Sequence, residues 1–521
     1  MKTIAGLTVI AGALLLASTK LFGQSSETAA IVGRLTAANA QPIAGAIVSV
    51  DSSKLIGGPR TAETTKDGSY RITGLAAGVY DVEVALQGFQ PAARRARLSV
   101  ESTAIVDIVL QITPVVQEIE ALGVLPVVDM TTAAVPLRLE SDVVDHLPTN
   151  RRVSDFMNLL PGVNANIGFG GTQQSNGLYI EGVNATDGQA SVPSISMDAN
   201  WLESVQVIGL GAGAQYGEFS GIVQKSTLKS GSNNFRGAAE YRTSHPRWAS
   251  RNTRSLSAAS KEQFQAQSER VLVWRDLDAQ LGGPIRRDRV WFFAGVQQFQ
   301  KDWTPALFAG PGSTSDGDRR VLARINTALA RWPQVNAFYL MARHETKAAG
   351  LGPLTPVETT TTDTETIHSW QVNVRSARRT YTVELASSGS NGAFHVDPTG
   401  PGTREGPYPH YDASTGLSSG NTYEYFDSGN RRSTTTATLV HARDIASTQH
   451  LLNAGIEHDR ITVTTLDGIP GGRGYIDLDG SPYQEIYGPR TEPGRTTRAR
   501  RFTYRRSGQS ASASRWNRVL A

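Results

Sequence analysis

The chain has no cysteine in its 521 residues. Disulfides, thiolate zinc sites, cysteine nucleophiles and a lipidated N-terminal cysteine are therefore excluded. Beyond the first residues no apolar run approaches the roughly 18 residues that a membrane-crossing helix needs. None of the nine histidines has a glutamate three residues later, so the His-x-x-Glu spacing of a zinc peptidase is missing. Net charge is small, with 51 Lys and Arg against 47 Asp and Glu, giving +4. Eight of those arginines lie between Arg495 and Ala521, where there is no acidic residue, and subtracting them leaves −4. The basic balance belongs to one end of the chain and does not argue for nucleic acid as a partner.

What is present starts with an export signal. Lys2 precedes an apolar run from Ile4 to Ala17, and "LFGQ" offers cleavage after Gly23. That pattern reads as a signal peptide over residues 1–23, with an uncleaved N-terminal anchor as the alternative. An exported chain without apolar helices can cross a membrane only with strands. The 51 glycines, with aromatic residues spread along the chain, suit a mainly β fold with many turns.

Residues 24–113 show period-two alternation. Ile47 and Val50 flank Ser49, Tyr70 and Ile72 flank Arg71, and Tyr80, Val82 and Val84 alternate with Asp81 and Glu83. Lys66-Asp67-Gly68 reads as a turn, and Gly74 and Gly78 bracket another. About seven short antiparallel strands in under 100 residues predict a β-sandwich. The segments "VGRLT", "PIAGAIVSV", "DGSYRITGLAAGVYDVEV" and "GFQ" resemble the carboxypeptidase regulatory-like domain. The resemblance implies an accessory module, a spacer or a sugar binder, and no peptidase activity.

Residues 114–232 change character. Val153, Phe156, Met157 and Leu160 share one face of a short helix, capped by Thr149 or Asn150 and ended by Pro161-Gly162. "SNGLYIEGVNATD" reads as strand and turn, and "LESVQVI" as a strand. The ordered set "LLPGV", "YIEG", "ESVQV", "AQYGEFSG" and a Lys-Ser-Gly-Ser-Asn turn resembles the plug domain of TonB-dependent outer-membrane receptors. The resemblance assigns structural plug positions to Tyr179, Glu181, Gly182, Tyr216, Gly217 and Gly221. Three residues depart from the family pattern, at two places. Glu181 stands where an aspartate is usual, and Gln224 and Lys225 interrupt a run of small and β-branched residues.

The glycine-rich stretch Gly209 to Gly237 poses a question of its own. Gly209, Gly211 and Gly213 do not complete G-x-G-x-x-G, and no helix pattern follows, so a nucleotide loop is not expected. As the plug's exit, the stretch is expected to lay its backbone against a barrel wall. The resemblance also implies a TonB box ahead of the plug. The candidate is Gln117, Glu118, Ile119, Glu120 and Ala121, which reads equally well as a linker or first plug strand.

Residues 233–494 repeat amphipathic runs, including "FRGAAEYRT", "VWRDLDAQLGGPI", "RVWFFAGVQQFQ", "RINTALARWP", "VNAFYLMARHE" and "TYTVELASSG". These predict a partial antiparallel outer-membrane β-barrel, with "LGGPIRRDRVWFFAG" as a hairpin and "TTTTDTET" as an external loop. In "VNAFYLMARHE" neither alternating set is strongly polar, so which face points inward is open. Nine to eleven strands are visible by this pattern, fewer than the roughly 22 of such a barrel. Residues 495–521 lose the alternation and form a basic tail, read as a frameshift or truncated gene, or as a segment that binds lipopolysaccharide.

Gly416, Ser418 and Gly420 match G-x-S-x-G but lack the strand before and helix after that a nucleophile elbow needs. No catalytic constellation, metal set or cofactor is expected. The resemblance implies a receptor in a Gram-negative outer membrane, touching lipid and importing an external solute with energy from a TonB-type partner. The rival reading is a secreted or surface β-sandwich protein for carbohydrate binding or adhesion.

Overall fold

The computed structural model describes residues 29–504, apart from 53–54, 56–58, 76–77, 99–102, 112–135, 145, 148–152, 187–196, 213–215, 217–218, 249–256, 259, 261–267, 329–332, 378–380, 400–401, 446–447 and 489–494. The signal segment 1–23, the candidate box Gln117–Ala121, the caps Thr149 and Asn150, Gly217 and the tail from 505 lie outside the described residues.

The N-terminal strands are β1 (Ala29–Ala37), β2 (Ile47–Asp51), β3 (Arg60–Glu63), β4 (Ser69–Leu75), β5 (Gly78–Ala85), β6 (Ala92–Leu98), β7 (Thr103–Ile105) and β8 (Ile108–Leu110). They form two four-stranded sheets, β4-β1-β7 with β8 also on β1, and β3-β2-β5-β6. Between them lies one core, in which Ile31, Leu35, Val48, Val50, Tyr80, Val82, Leu98 and Ile108 are fully buried. Two expectations change. Ile47 is 59% exposed and Val48 points inward beside Val50, because the strand's inward set starts one residue later than the flanking of Ser49 suggested. The sandwich is also not wholly antiparallel: β7 and β8 both run parallel to β1. The tight turn stands at Gly68, whose φ of 77° suits glycine and whose added Cβ would lie 2.4 Å from the Leu35 carbonyl oxygen.

Five strands form the second sheet: β9 (Leu137–Glu140), β10 (Gly177–Ile180), β11 (Val183–Asn184), β12 (Leu202–Ile208) and β13 (Val223–Leu228). Their order is β11-β10-β13-β12-β9, with β10 and β13 parallel. The predicted helix is a 3-10 turn over Val153–Leu159, and Val153, Phe156, Met157 and Leu160 are all buried. Gly162 follows at φ 85°. This segment packs on the sheet's core face with Leu178, Ile180, Val205 and Val207.

The remaining chain builds a ten-stranded antiparallel wall. Its first seven strands are β14 (Arg236–Ser244), β15 (Arg270–Arg286), β16 (Val290–Thr304), β17 (Thr314–Thr327), β18 (Gln334–Ala349), β19 (Thr361–Ala377) and β20 (Tyr381–Pro398). Two short strands, β21 (His410–Asp412) and β22 (Ser418–Ser419), leave the wall. The chain returns as β23 (Tyr425–Ile445) and β24 (Thr448–Gly468), leaves again as β25 (Arg473–Leu478) and β26 (Ser481–Tyr487), and ends in β27 (Arg495–Tyr504). The wall order is β14-β15-β16-β17-β18-β19-β20-β23-β24-β27, and the four excursion strands make a separate sheet, β22-β21-β25-β26.

Strands β15 to β24 of the wall run 14 to 21 residues, longer than the roughly 9–11 needed to cross a bilayer. "TTTTDTET", expected as a loop, therefore lies mostly within β19, and the strand expected in "RINTALARWP" instead spans Thr314–Thr327. Both stretches are polar and evenly half-buried, which hides a strand from a search for apolar alternation. In β18 the ambiguity is resolved: Phe338, Leu340 and Ala342 are buried, and Tyr339 is turned out. The outer face carries exposed Leu277, Leu281, Val296, Val321, Ile325, Tyr339, Trp370, Val372 and Leu385. Arg495–Tyr504, read as tail, pairs with β24 from Thr465↔Arg495 to Ile456↔Tyr504. Backbone pairing needs no side-chain alternation. Among the described residues β14 and β27 do not pair with each other.

Connections at one end of the wall are short, such as residues 287–289 between β15 and β16, and those at the other end are long, such as 399–424 between β20 and β23.

Two outcomes test the sandwich. Gly68→Ala should cost more than about 1 kcal/mol in its thermal unfolding, because alanine must take the left-handed conformation against a carbonyl. Hydrogen bonds from the Thr65 and Ser69 hydroxyls lower the Asp67 carboxyl to about 2. A lowered carboxyl contributes stability above its unfolded pKa of about 3.9 and loses it as pH falls through the folded value. Asp67→Asn should therefore flatten the acid limb of the unfolding curve between about pH 4 and 2.

Candidate functional site

The β10–β11 hairpin has only Glu181 and Gly182 between paired Ile180 and Val183. Both have positive φ, 49° and 82°, the signature of a two-residue type I′ turn. A left-handed glutamate is unusual, and its surroundings hold it there. Its carboxylate accepts two hydrogen bonds from the Arg324 guanidinium on β17, at 2.8 and 2.9 Å. It also accepts the Leu228 N–H at 2.7 Å. Arg324 donates a further bond to the Leu228 carbonyl at 2.7 Å. Gln371 on β19 donates to the Glu181 carbonyl at 3.0 Å. The Arg324 and Glu181 side chains are 7% and 14% exposed, so the ion pair is shielded from water.

Two more contacts fasten the same sheet to the wall. Trp201, fully buried in the turn before β12, donates its indole N–H to Asp278 on β15 at 3.0 Å. Its ring lies against Gly295 on β16, where an added Cβ would come within 2.6 Å. Arg432 on β23 donates to the Thr186 carbonyl at 2.8 Å and pairs with Asp459 on β24 at 2.5 Å. Between these polar fasteners the contact is apolar: Phe293, Leu322, Phe338 and Leu340 of the wall join the core of the five-stranded sheet. A crevice beside the hairpin is lined by Asn184, Ser369, Gln371, Ser388, Arg432 and Thr434.

The sequence-derived positions come together around β10 and β13. Tyr179 meets Tyr216 edge to face at 5.2 Å between ring centres, and the Lys225 ammonium sits 5.6 Å from the Tyr216 ring. Gly221 lies against Asn176, whose side-chain carbonyl accepts the Ile222 N–H at 2.9 Å. Gln224 donates to the Val153 carbonyl at 2.7 Å and so ties β13 to the 3-10 turn. The two departures from the family pattern are thus built into the sheet.

The glycine-rich stretch divides. Gly231 does approach the wall, since an added Cβ would lie 2.2 Å from the Phe292 carbonyl oxygen. Gly209 and Gly221 instead face their own unit, against Phe169 and Asn176 respectively. The wall-contact expectation therefore holds at Gly231, and Gly209 and Gly221 serve packing within the five-stranded unit.

Residue-type reasoning missed Arg324, Gln371, Asp278, Arg432 and Trp201. A signal existed for the first. Arg320, Arg324 and Asn326, with Leu322 among them, alternate with Val321, Ala323 and Ile325, which marks a mainly polar inward set opposite an apolar outward one. Ser418 of the G-x-S-x-G match starts the two-residue β22, and no helix follows it. Among the described residues no group of three His, Cys, Asp or Glu is placed to hold a metal ion.

At the long-loop end, His410 stacks on Tyr475 at 4.8 Å and pairs with Asp477 at 2.9 Å. Arg404 fixes the same excursion to the wall through Asp397 and Asp427, at 2.6 and 2.7 Å. Arg404 and His395 hold the Asp427 carboxyl down at about 2.

Residues 30–111 match the family model of the carboxypeptidase regulatory-like domain. Over 303 residues the chain is 28% identical to the TonB-dependent transporter Oar of Myxococcus xanthus, covering 55% of this chain and 28% of that protein. Over 71% of its length the chain is similar in fold to 55% of the outer membrane transporter YddB from Escherichia coli, with a TM-score of 0.54 at 12% identity. The chain thus spans about a quarter of the length of Oar and about half of YddB. In that fold the five-stranded sheet is the plug and the ten-stranded sheet is part of the barrel wall.

Arg324→Ala leaves a buried carboxylate unpaired and should destabilise the plug–wall unit by about 3–5 kcal/mol, whereas Glu181→Gln combined with Arg324→Met should restore most of that loss. A double-mutant cycle in denaturant measures both.

Proposed function

We propose that this chain is the plug-bearing part of an outer-membrane receptor that binds a solute from outside and admits it when the plug is displaced by a TonB-type inner-membrane partner. The observation that carries this reading is the plug sheet clamped to the inner wall by the Glu181–Arg324 pair, in the fold shared with an outer-membrane transporter. A plug held by the buried Glu181–Arg324 pair and by separate bonds from Arg324 to Leu228, Gln371 to Glu181, Trp201 to Asp278 and Arg432 to Thr186 is seated firmly but in separable pieces. A pull transmitted through β10 and β13 reaches the Glu181 carboxylate and the Leu228 N–H together, because both lie on the same bonded group. The chain's part is binding and gating, with no reaction on the solute.

On this reading residues 1–23 export the chain, 24–113 form a periplasmic sandwich, 114–232 the plug, 233–494 part of the wall, and 495–521 a basic segment. Gln117, Glu118, Ile119, Glu120 and Ala121 remain the candidate TonB box, an extended segment suited to adding a strand to the partner. The outer face bearing Leu277, Leu281, Val321 and Ile325 is the lipid contact. Further strands are needed at β14 and β27, since unpaired edge groups in hydrocarbon each cost several kcal/mol. The secreted adhesion reading is weaker, because a water-soluble sheet would not present that apolar outer row.

Because the chain lacks cysteine, single cysteines placed at positions 117–121 give unambiguous disulfide cross-links to a cysteine-bearing TonB-type protein. Ile119→Cys should cross-link in cells, and the chain should fractionate with the outer membrane and migrate faster unheated than heated. Soluble release of the protein, or no cross-link from any of the five positions in a properly inserted chain, contradicts the proposal.

A further inference from the structure

The outer face of the wall changes chemistry at one level on four neighbouring strands. Followed toward the end with the long connections, the outward apolar run stops at Leu277 on β15, Val296 on β16, Val321 on β17 and Met341 on β18. The next outward residue on these strands is Arg275, Gln298, Arg319 and Arg343 respectively, and all four are exposed. Strand alternation alone requires a polar residue above a lipid-facing row. It does not require arginine on three strands of four.

Strand register brings two of these arginines together. Arg319 on β17 stands directly opposite Arg343 on β18. Gln298 flanks Arg319 in the same row, and Thr366 on β19 flanks Arg343. Directly opposed side chains have Cβ atoms about 5 Å apart, and like charges in that relation repel. The acids on this face do not cancel them. Glu345 lies 3.8 Å from Arg343 but also 3.9 Å from the Lys347 ammonium. Asp302 already accepts bonds from Gln300 and Ser315, at 2.9 and 2.6 Å. Among the described residues Arg319 has no ion-pair partner. Arg275, Arg319, Arg343 and Lys347 thus face outward against two carboxylates, and the row between β16 and β19 holds only hydrogen-bond donors and cations.

We propose that Arg319 and Arg343 clasp the phosphate of an outer-leaflet lipid, with Gln298 and Thr366 bonding its remaining oxygens and the acyl chains lying on Val296, Val321 and Met341. A phosphate monoester carries nearly two negative charges and three acceptor oxygens, which suits two guanidinium forks at once. An anion between the arginines turns their repulsion into attraction to a shared centre. The row sits at the edge of the apolar surface, so a ligand whose anionic head continues into hydrocarbon meets both chemistries, whereas a free anion meets only one. The clasp rests on the receptor reading above, in which the long-connection end faces outward, and it gives that reading a lipid partner at a stated place.

The test uses the full chain purified in neutral detergent and titrated with bisphosphorylated lipid A, with the same lipid after phosphatase treatment and with inorganic phosphate, retention being read by native mass spectrometry. Bisphosphorylated lipid A should bind at least about ten-fold more tightly than the dephosphorylated lipid, and millimolar inorganic phosphate should not displace it. R319Q and R343Q should each weaken it about ten-fold, while R319K and R343K keep the charge, lose the fork and fall between. Both positions are exposed, so heat-dependent migration should be unchanged in all four variants. Equal binding of the phosphorylated and dephosphorylated lipids, or unaltered binding by the double variant R319Q/R343Q, overturns the clasp. Displacement by inorganic phosphate at equal concentration also overturns it, because the site is then a general anion site. Those results leave the cross-linking and fractionation outcomes untouched, so failure of the clasp is distinguishable from failure of the receptor reading.

Discussion

The buried pair between Glu181 and Arg324 fixes where the plug sits. Taking two charges out of water costs several kcal/mol each, so such a pair adds little net stability over apolar packing. What it supplies is position. Arg324 bonds both the carboxylate at the hairpin tip and the carbonyl at the end of β13, and so fastens two points of the plug sheet to one wall residue. The left-handed backbone of Glu181, costly by itself, is retained because the carboxylate must reach that guanidinium and the Leu228 N–H at once.

The rest of the plug–wall seam follows from this anchor. With the hairpin fixed on β17 and β19, Trp201 falls on β15 and β16, and Thr186 meets Arg432 on β23. The small residue at Gly295 admits the indole, and Gly231 lets the exit segment pass the Phe292 carbonyl. Apolar side chains between the fasteners exclude water and thereby strengthen the ion pair they surround. A seam made of directional bonds around an apolar patch can be opened by extension along the chain, because the bonds break locally while the wall's own ladders stay paired.

The same wall serves two other surfaces. Outward, alternate residues of β15 to β20 meet lipid on the receptor reading. Upward, strands longer than a bilayer carry the excursions that fold into a sheet of their own. Arg404, bonded to Asp397 and Asp427, ties that excursion to the wall.

Some of this was legible in the residues. Strand alternation gave the sandwich core at Tyr80, Val82 and Val84, and the i, i+3, i+4, i+7 spacing of Val153, Phe156, Met157 and Leu160 gave a buried helical turn. Those are short-range patterns set by backbone geometry, which is why a linear reading finds them. The polar first half of the strand Thr361–Ala377 was read as a loop, because it carries no apolar alternation, whereas its second half was legible as a strand. The parallel placement of β7 and β8 on β1 could not be seen, since strand direction depends on how the chain returns, not on composition. The sequence by itself determined the period of each segment, the need for a turn at Gly182, and the order of the three units. Only the tertiary structure decided which charges meet: Glu181 and Arg324 are 143 residues apart, and Thr186 and Arg432 are 246 apart. Contacts at such separations arise from strand register and barrel curvature, and no local pattern encodes them.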